Sequence, residues 1–161
     1  YYQDYRIPVV VLRYFGGFSS RSNFTWSGGH IPIFIRAILN DEEISIHGDG
    51  KQTRSMSYVG DLVDGTVLAM ENSSAIGEII NLGNDEEMSV LDAAKLIHKL
   101  ADTGKDLKLK FIPFKEVFGD YKDIMRRLPD LTKAKRILGY SPKHSFEEAI
   151  QKTMDEVRES G

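Results

Sequence analysis

Arg54 lies in a run, Gly48 to Leu62, whose residue types have no simple packing explanation. Gly48 and Gly50 bracket Asp49, Arg54 sits just inside a short strand-like segment, and Asp61 stands where a helical pattern begins. A guanidinium offers a planar fork of N–H donors matched to phosphate oxygens. The chemistry this suggests is a phosphate clamp. The simpler alternative is a solvated strand arginine or a surface ion pair. A second cationic point, Arg126-Arg127, precedes Leu128-Pro129-Asp130. An arginine ahead of a helix start could join the helix N–H groups in holding an anion. Local sequence alone favours a solvated basic pair there. Arg21 ends a glycine-rich loop that turn composition already explains. Asp61 reads equally well as a helix N-cap, and Tyr58 as a half-buried strand aromatic.

Other chemistries find no support. His30, His47, His98 and His144 are scattered without metal-ligand spacing. No Gly-x-Ser-x-Gly marks a nucleophile elbow. The absence of cysteine excludes disulfides and thiolate metal sites. Gly48-Asp49-Gly50 lacks the third glycine and the opening βα unit of a dinucleotide fingerprint.

The elements that must carry these residues alternate between strand and helix. Ile7 to Phe15 is an apolar, β-branched run suited to a parallel strand covered on both faces. A long polar loop, Gly16 to Gly29, follows its carboxyl end, where open α/β sheets bind ligands. Ile31 to Leu39 is helical in length, with Pro32 acceptable in the first turn. Ile44 to His47 alternates as a strand, Asp61 to Met70 has helical spacing, and Glu78 to Leu82 is a further strand. Ser89 opens a helix to about Leu100 with a capping-box pattern. Leu107 to Phe111 reads as a strand. A helix capped by Asp130 ends at Gly139, and Ser145 to Glu148 opens a terminal helix. The order predicts one α/β domain over 1–161.

The bulk numbers fit that domain. The chain has 161 residues, 41% hydrophobic and 28% charged. A formal charge of −3 argues against nucleic acid or an anionic membrane as partner. No apolar run approaches membrane-spanning length, so the expected location is cytoplasmic. The opening Tyr1-Tyr2-Gln3-Asp4-Tyr5 reads as the last turn of a helix. With an unmatched buried-type strand after it, this suggests a fragment of a longer protein.

Taken together, these segments resemble a known family. Gly48 to Arg54 with Tyr58-Val59-Gly60-Asp61-Leu62-Val63 looks like the substrate-side signature of extended short-chain dehydrogenases/reductases, the NAD-dependent sugar-nucleotide epimerases and dehydratases. Four more segments match in the same order. They are Val11 to Phe15, Ile79 to Gly83, Arg127 to Lys135 (an Arg-x-Pro-Asp-x-x-Lys-Ala-like run) and Leu138 to Pro142.

The resemblance implies the substrate-binding part of such an enzyme, including late strands of its Rossmann sheet. It implies that the amino-terminal part, with the NAD loop and the Tyr-x-x-x-Lys pair, is absent here, so the chain holds no catalytic residue and is inactive alone. NAD is then a cofactor of the parent protein, bound mostly outside this chain. The partners implied are a nucleotide-diphosphate sugar, the missing amino-terminal domain and a second copy in a homodimer. Arg54 and Arg127 match the arginines that hold the diphosphate, and Arg21 matches the one ending the substrate loop. Tyr58 and Asp61 match an ordered element that shapes the pocket. One departure is clear: where the family has Phe-Asn-x-Tyr-Gly-Pro-Arg, this chain has Phe15-Gly16-Gly17-Phe18-Ser19-Ser20-Arg21. Loss of the asparagine leaves open a second possibility, a non-catalytic nucleotide-binding or scaffold protein on the same fold.

Overall fold

The computed structural model describes residues 2–23, 29–120 and 123–160. Short parallel pairings of strands are interleaved with helices. A helical turn, α1 (Tyr2–Tyr5), precedes β1 (Val11–Tyr14) and β2 (Gly17–Phe18). Then come α2 (His30–Leu39), β3 (Ile44–His47), β4 (Thr53–Arg54) and β5 (Ser57–Tyr58). The next elements are α3 (Val59–Glu71), β6 (Ile79–Leu82), β7 (Met88–Ser89) and α4 (Val90–Ala101). The carboxyl-terminal third holds β8 (Leu109–Ile112), α5 (Phe114–Phe118), β9 (Arg126–Arg127), α6 (Thr132–Leu138) and α7 (Phe146–Ser160).

Strand β1 pairs in parallel with β6, β2 with β5, and β3 with β8. Strand β4 is the centre of a three-stranded unit, antiparallel to β7 and parallel to β9. Gly48 and Gly50 adopt φ of 69° and 73°, so the β3–β4 turn uses a left-handed backbone that only glycine takes freely.

The larger hydrophobic cluster joins α2, β3, α4 and α7, with Phe34, Ile35, Ile46, Ile97, Ile150 and Met154 fully buried. Burying each such side chain contributes about 1.5–3 kcal/mol before ordering costs. In α7 the buried residues are Phe146, Ala149, Ile150, Thr153 and Met154, the helical-face spacing expected of a core-facing helix. Ser145 caps this helix as a full capping box: its Oγ accepts from the Glu148 N–H at 3.2 Å, and its own N–H donates to Glu148 Oε2 at 2.8 Å. The second cluster packs Leu62 and Ala69 of α3 with Ile80 and Leu82 of β6, Ala134 and Leu138 of α6, and Tyr140.

Four sequence expectations change. The β1 strand is not covered on both faces: Val11 and Tyr14 are exposed, as is Ile79 opposite. Asp61 is not an N-cap; Tyr58 holds that position, and Asp61 sits in the first turn of α3. Asp130 does not cap α6 directly, because the helix starts at Thr132 with Leu131 as N-cap. Asp130 still accepts from the Thr132 N–H at 2.8 Å. The expected loop from Gly16 to Gly29 contains β2 at its start, and its residues 24–28 lie outside the described residues. Among the described residues no helix is long and apolar enough to cross a membrane.

Candidate anion site on neighbouring strands

Strands β4 and β9 bring together the two arginines that the sequence separates by more than seventy positions. Arg54 and Arg127 are register partners in the parallel pairing. Such partners project on the same face of a sheet. The pairing is closed by Thr53 N–H donating to the Met125 carbonyl at 2.8 Å and Ser55 N–H to the Arg127 carbonyl at 3.1 Å.

The two cations differ in their surroundings. Arg54 is only 8% exposed. Its Nη1 donates to the carbonyls of Thr53 and Ile124 at 2.8 and 2.7 Å, and its Nη2 to Asp123 Oδ2 at 2.7 Å. A buried guanidinium needs such partners, because an unpaired one carries a large desolvation cost. Arg127 stands exposed. Among the described residues its side chain has no hydrogen-bonding or ion-pair partner. Its neighbour Arg126 is committed elsewhere: Nε and Nη2 grip both carboxylate oxygens of Glu87 at 2.9–3.2 Å. Thr53 Oγ1 donates to the same carboxylate at 2.6 Å. The structure thus separates two adjacent arginines that local sequence could not tell apart.

His30, the first residue of α2, is buried within the field of both cations. Its pKa falls from 6.5 to about 3, first through burial and then through the positive charges of Arg54 and Arg127. His30 is therefore a neutral imidazole at pH 7, and its ring senses both guanidinium groups at once. This convergence was invisible in the sequence, where His30 was one of four scattered histidines. Asp123 likewise carried no sequence signal.

The other predicted residues lie in a second arrangement. Tyr58 donates to Glu156 Oε1 at 3.0 Å, and Ser20 Oγ donates to the other oxygen of that carboxylate at 2.7 Å. Burial, and then this hydrogen bond to Glu156, raises the Tyr58 pKa above 10. Its phenol is thus not poised to lose a proton at neutral pH. Lys152 Nζ lies 4.9 Å from the Tyr58 ring centroid and the His144 ring packs at the same distance. Asp61 is 1% exposed; its Oδ1 lies 2.8 Å from His144 Nδ1, and its Oδ2 accepts from the His144 N–H at 3.3 Å. Asp61 ties the segment before α7 to the start of α3. Arg21 is exposed on the turn after β2, and among the described residues no hydrogen bond or ion pair joins it to Arg54 or Arg127.

Gly16, which replaces the asparagine of the resemblance, has φ 59°. A Cβ there would overlap the Ser55 carbonyl oxygen and press on Met56. The backbone as folded has no room for a side chain at this point.

Comparison with known proteins follows the same lines. The sequence profile of the family described as GDP-mannose 4,6 dehydratase matches residues 1–153. UDP-N-acetyl-alpha-D-glucosaminuronate decarboxylase of Bacillus cytotoxicus is 38% identical over 154 residues, covering 95% of this chain and 47% of that protein. The X-ray structure of Pal from Bacillus thuringiensis superposes with a TM-score of 0.88 at 33% identity, over 100% of this chain and 49% of that one. UDP-glucuronic acid 4-epimerase from Bacillus cereus, in complex with UDP-glucuronic acid and NAD, gives 0.86 at 30% identity, over 99% of this chain and 48% of that one. The chain spans about half the length of each of these relatives.

Proposed function

The chain belongs to the GDP-mannose 4,6 dehydratase family of NAD-dependent extended short-chain dehydrogenases/reductases, and from that premise we propose that it is the substrate-binding portion of an NAD-dependent enzyme that modifies a UDP-sugar. The observation that carries this reading is the register pairing of Arg54 with Arg127 on neighbouring strands. Two guanidinium groups on one sheet face match the two charges of a diphosphate. The uridine base is inferred from the relatives, which act on or bind UDP-linked sugars; epimerisation and decarboxylation are the two reaction types their names offer. Arg21, Tyr58 and Asp61 shape the surrounding pocket, Asp61 by fixing His144 and Tyr58 through Glu156.

In this reading NAD binds outside these residues. The Gly48–Gly50 turn does not fit a pyrophosphate: it leads into β4 rather than into a helix, and its glycines abut Phe114, Ile46 and Leu91. NAD supplies hydride transfer in the complete enzyme. What this portion contributes is grip: diphosphate binding, remote from the reacting carbon, orients the sugar. The chain alone is then a binding module without turnover, and a face of exposed apolar residues on α3 and β1 receives the amino-terminal half.

The test is calorimetric titration with UDP and, separately, with NAD. UDP binding without NAD binding supports the proposal; binding of NAD alone overturns it, and no binding of either favours a scaffold. Arg127→Ala is expected to weaken UDP by roughly 1.5–3 kcal/mol, the size of a lost charged hydrogen bond. Arg126→Ala, which only breaks an exposed pair to Glu87, is expected to leave UDP affinity within about threefold. Equal losses in the two variants would remove Arg127 from its assigned role.

A further inference from the structure

The segment that carries Arg127 is fastened to the rest of the molecule around one side chain. Arg54 Nη1 reaches the Ile124 carbonyl at 2.7 Å, and Arg54 Nη2 meets Asp123 Oδ2 at 2.7 Å. The other oxygen of the same carboxylate, Oδ1, accepts from the Ile124 N–H at 2.8 Å. Asp123 thus sets its own backbone with one oxygen and the Arg54 guanidinium with the other. Immediately downstream, Met125 and Arg127 provide the carbonyls that receive the N–H groups of Thr53 and Ser55. The ion pair is sheltered, with side-chain exposures of 9% for Arg54 and 21% for Asp123. In that setting a pair resists screening far more than one in open solvent.

Two opposite consequences can be drawn for anion binding. A carboxylate on Arg54 could compete with an incoming phosphate. Alternatively it could hold the phosphate-binding groups in place. The geometry favours the second. Both Nη1 hydrogens and one on Nη2 are already committed, to two carbonyls and Asp123, so Arg54 keeps at most Nε–H and one Nη2 hydrogen for a ligand. Of the two, Arg127 is the open one, with no side-chain partner among the described residues, and its place depends on the two-residue strand β9. A two-residue strand has too few ladder bonds to hold its own position.

We propose that Asp123 is a positioning residue of the diphosphate site, stapling the strand that carries Arg127 against β4 through the buried side chain of Arg54. This rests on the substrate-binding reading above. Asp123 touches no ligand; it acts through Arg54 and β9.

The experiment uses the whole chain in four forms: wild type, Asp123→Asn, Arg127→Ala and the double variant, each titrated with UDP. Asp123→Asn is expected to weaken UDP by about fivefold or more. In the Arg127→Ala background the same change is expected to cost less than about twofold, because neighbouring residues acting through one another are non-additive. Tighter UDP binding by Asp123→Asn would show a competing carboxylate and overturn the proposal. An undiminished loss in the Arg127→Ala background would overturn it too, since Asp123 would then act independently of Arg127. Amide hydrogen exchange supplies a readout that needs no ligand. The Ser55 amide, which donates to the Arg127 carbonyl, is expected to exchange at least about tenfold faster in Asp123→Asn, while β1–β6 amides keep wild-type rates. Unchanged exchange at Ser55 overturns the staple whatever UDP does. Failure of the wild type to bind UDP, with faster exchange at Ser55, would sink the substrate-binding reading and leave the staple standing.

Discussion

At the level of single residues, the candidate site is built from unequal cations. Arg54 is buried and shared among protein partners, Arg127 is open, and Arg126 is spent on Glu87. Position in sequence does not distinguish the last two; register on β4 does. Both cations act on the buried His30, whose depressed pKa of about 3 has a consequence for stability. An unfolded histidine titrates near 6.5. As pH falls below that value the unfolded chain takes up a proton that folded His30 refuses. Stability is therefore fully present above about pH 6.5 and is lost on acidification, by at most about 1.4 kcal/mol per pH unit from this one group, until the folded pKa is reached. Urea midpoints at pH 7 and pH 5 measure the loss. His30→Gln, which cannot titrate, is expected to show a smaller drop between the two than the wild type. An identical drop in both proteins would mean that other groups, not His30, govern the acid limb.

The elements differ in how clearly the chain announces them. Helices α2, α4 and α7 and strands β3 and β6 were legible because each has its own local signal: periodic apolar residues, a capping serine, or short alternation. The α7 start is the clearest case, with Ser145 and Glu148 exchanging hydrogen bonds at 2.8–3.2 Å. Removing the cap by Ser145→Ala is expected to cost about 1 kcal/mol, which for a domain of this size lowers the Tm by roughly 2–4 °C. Differential scanning calorimetry reads that shift directly. A change below one degree would show that the packing of Phe146 and Ile150, rather than the cap, fixes the helix start. By contrast β2, β5 and β9 are two residues each and exist only because a distant partner is present. Nothing local in Arg126-Arg127 encodes a strand. The resemblance paired Arg127 with Arg54 in function, yet only the fold shows that β4 and β9 are neighbours. The same reason hid Asp123 and His144, whose partners lie 69 and 83 positions away. Asp61 was legible as a helix-start residue but not as the buried partner of His144, because a carboxylate three residues into a helix looks in sequence like a cap.

Over the whole molecule, one face departs from what a self-sufficient domain presents. Tyr14, Val59, Val63, Val67 and Met70 are all exposed, with Val63 at 54% and Met70 at 80%. The four α3 positions recur at helical-face spacing and flank the buried Leu62 and Ala69, so the apolar surface of α3 runs on from the core into solvent. Two hollows open beside this stripe. One of about 450 Å³ is bounded by Tyr14, Phe18, Val59 and Val63, and one of about 630 Å³ by Val10, Leu12, Ala69 and Met70. Contiguous apolar surface of this kind marks an interface. Because the chain spans about half the length of its relatives, the occupant proposed is the amino-terminal half of such an enzyme. The isolated chain is expected to self-associate through the same face in its absence. Sedimentation velocity from low to high micromolar concentration is expected to show a growing weight-average mass. Val63→Glu with Val67→Glu places two charges on the stripe without touching the buried side of α3, and is expected to keep the protein monomeric across that range with its UDP affinity intact. The matching amino-terminal half of a relative, added in trans, is expected to bind the wild type and not the double variant. A wild type that stays monomeric and ignores the added half would leave the α3 stripe without the partner assigned to it, and association undiminished in the double variant would move the contact to another surface.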